Sequence, residues 1–109
     1  MTHQDIKEFA ISVIREQLAA KQINVKQIIL FGSQARQTAL TDSDWDFLVC
    51  VEEELSFQEK AKITTAIQRR LAEKHISVDI IIKSEKRMNQ ERGNVGAITY
   101  YALKEGVMV

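Results

Sequence analysis

The sequence predicts an α/β (α+β) fold, a mixed β-sheet packed with helices, on three observations. Apolar residues recur at helical spacing in separate stretches, short β-branched apolar runs lie between them, and capping signals mark where helices begin. In the first stretch Ile6, Phe9, Ala10, Val13, Ile14 and Leu18 fall on one helical face, and Thr2 with Asp5 three residues later forms a capping box. A helix over residues 3–20 follows. Val25 to Phe31 is an apolar run that stops at Gly32, the pattern of a buried strand. A second strand runs from Asp44 to Val51 and ends at the charged residues Glu52, Glu53 and Glu54. Ser56 and Glu59 cap a helix carrying Phe57, Ala61, Ile63, Ile67 and Leu71, and His75 to Ile82 is a third strand. Lys83 to Asn94 is polar and mixed in charge and reads as a loop. Asn94 then caps a last helix with Val95, Ile98, Ala102 and Leu103, closed by Gly106, and Val107 to Val109 adds a short final strand. The expected order is α-β-β-α-β-α-β.

Composition excludes several classes of function. The 109 residues contain no proline, and no low-complexity tract or repeat marks a linker, so residues 1–109 are expected to form a single domain. Fifteen basic residues balance fifteen acidic ones, which leaves no overall positive charge to grip a phosphate backbone, and direct nucleic-acid binding is not expected. No apolar run approaches the roughly 20 residues that span a bilayer. With no apolar leader in MTHQDIKEF and one cysteine, Cys50, which cannot form an intrachain disulfide, a cytoplasmic location is expected.

The chemistry concentrates in LFGSQARQTALTDSDWDFLV, residues 30–49. A strand running into Gly32-Ser33 gives a tight turn open to close approach of another group. A short helix beginning at Ser33 would present free N–H groups to an anion, with the Arg36 guanidinium suited to phosphate oxygens. Such turns are common, and this one is weak on its own. Asp44 and Asp46 sharpen it. Two apart in a strand, they point to one face, about 6.6 Å apart along the backbone. Trp45, Phe47, Val49 and Val51 line the opposite face, and Leu48 and Cys50 share the acids' own. Carboxylates brought to about 4 Å repel by roughly 1 kcal/mol in water and about 4 kcal/mol at an effective dielectric of 20. A divalent cation reverses that sign, and Mg²⁺ favours a few carboxylates plus substrate phosphates. A polar turn accounts for Asp42 and Ser43 but not for Asp46, which lies inside the apolar run. Asp79 interrupts SVDIII in the same way; a salt bridge to Lys or Arg is its plain alternative, a metal or substrate proton the other. Three misplaced acids beside a phosphate-type turn favour two-metal phosphoryl chemistry.

Gly32-Ser33, then Asp44-x-Asp46, then Asp79 on a later strand resembles the signature of the DNA polymerase β-type nucleotidyltransferase superfamily. Within it, the short chain and the wording GSQAR…TDSDWDFLV resemble the minimal nucleotidyltransferases, and the likeness runs from the first helix to the closing EGVMV. Gln37 stands where these proteins usually carry Gly. The resemblance implies the nucleotidyltransferase fold and roles for named residues. Gly32 and Ser33 would hold the β- and γ-phosphates of a nucleoside triphosphate, with Arg36 assisting. Asp44 and Asp46 would bind two Mg²⁺ ions. Asp79 would complete the second metal site and orient or deprotonate the attacking hydroxyl. Attack on the α-phosphorus would transfer a nucleoside monophosphate and release pyrophosphate.

Larger relatives carry further domains for the acceptor, and this chain has nothing left for one once its core elements are counted. An acceptor site is therefore expected from another polypeptide or a second copy, and the resemblance implies a helical HEPN-type toxin whose tyrosine hydroxyl receives AMP from ATP. The chain would then be the antitoxin. Two alternatives stand beside this: a non-catalytic antitoxin that occludes a helical partner, and a small-molecule nucleotidyltransferase. His3 and His75 lack ligand spacing, Cys50 reads as a small core residue, and one of Tyr100 and Tyr101 is expected to pack while the other faces outward. Lys83, Lys86, Arg87 and Arg92 read as a solvated mixed-charge loop, with contact to a nucleotide or acidic partner as the alternative.

Overall fold

The computed structural model describes residues 1–36 and 43–109. Asp42 and Gln37 lie outside them. The elements in chain order are α1 (His3–Ala20), β1 (Val25–Phe31), α2 (Gly32–Arg36), β2 (Trp45–Val51), α3 (Phe57–Ala72), β3 (Val78–Ser84), α4 (Glu85–Glu91), α5 (Ile98–Glu105) and β4 (Val107–Met108). Both expected capping boxes form. Thr2 Oγ1 accepts from Asp5 N–H at 3.0 Å, and Ser56 Oγ accepts from Glu59 N–H at 3.1 Å.

The two long helices stop by the same device. Gln22 and His75 adopt left-handed backbone, each with φ of 59°. Beyond them, Ile23 N–H donates to the Leu18 carbonyl (3.0 Å) and Ile76 N–H to the Leu71 carbonyl (3.1 Å). This is a Schellman ending, with the isoleucine and leucine of each pair buried in the main core. It explains why β3 begins at Val78 and not at His75: the left-handed residue still belongs to the helix end.

The four strands lie in the order β3-β2-β1-β4, with β1 antiparallel to both its neighbours and β2 parallel to β3. The sheet is covered on both faces. Against one face, Ala10, Val13, Ile14 and Leu18 of α1 and Ile63, Ile67 and Leu71 of α3 pack on Leu30, Phe47, Val49, Val51 and Ile82. Each such side chain contributes roughly 1.5–3 kcal/mol when fully buried. The other layer is smaller, with Met88 of α4 and Ala102 of α5 on Ile29, Leu48 and Cys50. The alternation read in β2 thus separates two cores, and Cys50 is a packed core residue.

The stretch expected to be a loop is mostly structured. Lys83 and Ser84 finish β3, and Ser84 Oγ accepts from Arg87 N–H at 3.1 Å to start α4. A seven-residue helix with one buried apolar residue, Met88, leaves no periodicity to read. Asn94 does not cap a helix: its side chain accepts from Gly96 N–H at 3.0 Å in a local turn, and α5 begins only at Ile98. Val95 is consequently exposed, as is Phe57 in the first turn of α3. Among the described residues no helix is long and apolar enough to cross a membrane.

Candidate active site

Strand register brings the suspect acids together. Asp46 on β2 is the direct partner of Asp79 on parallel β3, on strands about 4.8 Å apart. On the other side, Asp46 pairs with Phe31, the last residue of β1, which sets Gly32 against the Asp46 carboxylate. Gly32 has φ of +76°, and a Cβ there would collide with Asp46 Oδ2, so glycine is needed both for the backbone and for the close approach. Ser33 follows as the second residue of α2, and Asp44 lies just before β2, exposed.

The electrostatics match that placement. Asp46 is partly buried, and loss of water pushes its carboxyl above the ordinary range. The charges of Asp79 and then Asp44, with a hydrogen bond to Asp79, push the same way, and Arg36 opposes them. Negative charge therefore accumulates at this end of the sheet beyond what one basic residue offsets. Arg36 itself pairs with Glu105 at 3.5 Å, both side chains about half exposed.

Oxygen donors of this kind suit a hard divalent cation and not a soft one. Among the described residues no three His, Cys, Asp or Glu side chains already stand at metal-holding spacing. Mutual repulsion of carboxylates works against such a cage until a cation joins them.

Three features were not read from the sequence. Gln34, between Ser33 and Ala35, is buried (5% exposed) and bonded on both sides: its Nε2 donates to the Ser43 carbonyl at 3.0 Å, and its Oε1 lies 3.1 Å from His3 Nε2. The His3 ring also packs on Trp45, tilted by 35° with centroids 4.7 Å apart. Far from the acids, Glu91 receives Lys83 Nζ at 2.6 Å, Thr99 Oγ1 at 2.8 Å and Arg87 Nε at 3.1 Å. Lys83 and Arg87 thus belong to an ion-pair cluster joining β3, α4 and α5. No local pattern announces these partners, which sit eight to forty-two residues apart, Arg87–Glu91 being the one helical i,i+4 pair.

A glycine-serine turn thus lies beside the paired Asp46 and Asp79 at one end of a mixed sheet. The sequence pattern described as Polymerase beta, Nucleotidyltransferase matches residues 14–102, and the chain belongs to that family. No curated protein sequence matches it. Among solved structures, a candidate minimal nucleotidyltransferase is 27% identical, covers 98% of this chain and 95% of that one, and superposes with a TM-score of 0.62. A toxin–antitoxin structure with AMP-PNP has the same fold at 19% identity (89% and 69% covered, TM-score 0.61). So does the MntA-HpeT toxin–antitoxin pair, in a mutant with two aspartates changed to glutamate, at 16% identity (99% and 72% covered, TM-score 0.55).

Proposed function

We propose that this nucleotidyltransferase moves AMP from ATP, with Mg²⁺, to the tyrosine hydroxyl of a helical HEPN-type partner toxin, and so acts as an antitoxin. The observation that carries the reading is the in-register pairing of Asp46 with Asp79 beneath Gly32, with the charge of Asp44 felt at Asp46. Family membership supports the reaction class. The toxin–antitoxin neighbours, one solved with an ATP analogue and one altered at two aspartates two positions apart, support the partner and the nucleotide.

In this reading Gly32 and Ser33 receive the β- and γ-phosphates, with Arg36 assisting once it leaves Glu105. Asp44, Asp46 and Asp79 supply the carboxylate oxygens that would hold Mg²⁺. When bound, the metal neutralises phosphate charge and stabilises the attacking and leaving oxygens. Asp79, exposed at the strand end, orients the acceptor hydroxyl and takes up its proton. The hydroxyl oxygen forms a bond to the α-phosphorus while the bond from that phosphorus to the bridging oxygen breaks. Pyrophosphate leaves and the acceptor keeps AMP.

The test is intact-mass measurement of a helical HEPN-type protein, where one is encoded beside this chain, after incubation with the chain and Mg-ATP. The partner should gain whole adenylyl units. A folded partner of unchanged mass rejects the proposal. Neutralisation of the partner that survives Asp44→Asn with Asp46→Asn would favour occlusion instead.

A further inference from the structure

The two halves of the proposed site sit on different segments, Gly32-Ser33 at the end of β1 and Asp44 at the start of β2. A buried side chain joins them. Gln34 Nε2 donates to the carbonyl of Ser43, so the residue after Ser33 is bonded to the residue before Asp44. The direction of this bond is fixed, because a carbonyl only accepts. Gln34 must therefore turn its Oε1 toward His3, and His3 Nε2 must carry the proton it donates across 3.1 Å. His3 is held in turn by its ring on Trp45. The next backbone group continues the brace: Trp45 N–H donates to the Ser77 carbonyl at 3.0 Å, which ties the Asp44 segment to the approach to Asp79. Nothing in this chain of contacts touches the substrate position. All of it sets where the groups that do so stand.

We propose that Gln34, oriented by His3, is a positioning residue: it fixes the phosphate-binding turn relative to the metal-binding aspartates, so that Mg²⁺ and ATP bind as one unit. The inference rests on the reading of the site given above. A buried amide with two directed bonds has one geometry, whereas a side chain without them leaves the turn free to drift from Asp44. Its loss weakens the linkage between metal and nucleotide more than it weakens contact with either alone.

Isothermal titration calorimetry follows ATP binding to the protein, with EDTA or with saturating Mg²⁺. In the unaltered protein Mg²⁺ should raise ATP affinity strongly. In Gln34→Met, of similar length but without the bonds, the gain from Mg²⁺ should shrink about tenfold, an ordinary size for coupling between two ligands. ATP affinity in EDTA should stay within about twofold, and circular dichroism should show an intact fold. His3→Phe keeps a ring on Trp45 but cannot donate, and should shrink the gain about threefold. If Gln34→Met does not fold, His3→Phe on the exposed helix end decides by the same measurement. A Mg²⁺ gain unchanged in the folded variants overturns the positioning role, and so does an equal fall with and without metal, which would mark mere structural damage. If the unaltered protein binds no Mg-ATP, the reading of the site fails and takes this inference with it.

Discussion

Two carboxylates in this chain experience opposite surroundings. Glu91, with 15% of its side chain exposed, is met by Lys83, Thr99 and Arg87. The Lys83 hydrogen bond leads the causes that hold its acid down to about 2. Asp46, also partly buried, meets two more aspartates, and burial together with their charge pushes its acid up. One group is complete within the folded chain. The other carries negative charge that only something from outside resolves. The contrast separates an acid compensated within the fold from acids the chain itself leaves uncompensated, and it does so without reference to any relative.

The largest effect should come from the incomplete site. On the proposed reading, Asp46→Asn should lower nucleotidyl transfer by about a thousandfold or more, since it would remove a group that meets both metal and developing charge. The same change should stabilise the protein in metal-free buffer. Because Asp46 is raised, the folded state binds its proton more readily than the unfolded one; the charged form costs stability at neutral pH, and the cost fades as pH falls. Asparagine mimics the neutral form at every pH. After discounting for solvent around a partly exposed group, the gain is on the order of 1 kcal/mol or less, a few degrees in thermal midpoint. Melting curves in EDTA check it, and a lower midpoint for Asp46→Asn breaks the contrast.

The complete site should respond in reverse. Glu91→Ala strips three donors of one acceptor and leaves Lys83 unpaired, 19% exposed, which should cost about 3 kcal/mol in chemical unfolding. A depressed acid contributes stability that is full above its unfolded value near 4.5 and is lost as pH falls toward about 2. The stability gap between the unaltered protein and Glu91→Gln should therefore narrow over that window and hold steady above pH 5. A gap that widens on acidification would contradict the assignment of donors.

How much of this was legible in the sequence follows the same division. Both capping boxes, the strands around Ile28 and Phe47, and the closing strand after Gly106 announce themselves through local spacing, and the fold agrees. Asp46 and Asp79 were legible as misfits, because an acid inside an apolar run stands out before its partner is known. Glu91 and Gln34 were not. Neither is an acid inside an apolar run, and the importance of each comes from partners such as Thr99 and Ser43 that only tertiary packing brings close. Polar groups satisfied by distant partners leave no trace in a local pattern, whereas an acid inside an apolar run or a cap within one turn does. The helix Glu85–Glu91 was missed for a related reason: it is held by a Ser84 cap and the Glu91 cluster, with Met88 its one buried apolar side chain.

The smallest expected effect concerns the ion pair between the two regions. Arg36 and Glu105 meet at 3.5 Å with side chains 51% and 47% exposed, a geometry in which solvent leaves little net attraction. Glu105→Gln should change unfolding stability by less than about 0.5 kcal/mol. If Arg36 serves the triphosphate, it must first give up Glu105, and removing that competitor should tighten Mg-ATP binding by about two- to threefold at low salt, fading at high salt. Arg36→Gln should abolish the difference that Glu105→Gln makes. An equal gain from Glu105→Gln with or without Arg36 would place the effect in the general field of the site and not in that guanidinium, and would remove Arg36 from the phosphate-binding set while leaving the three aspartates untouched.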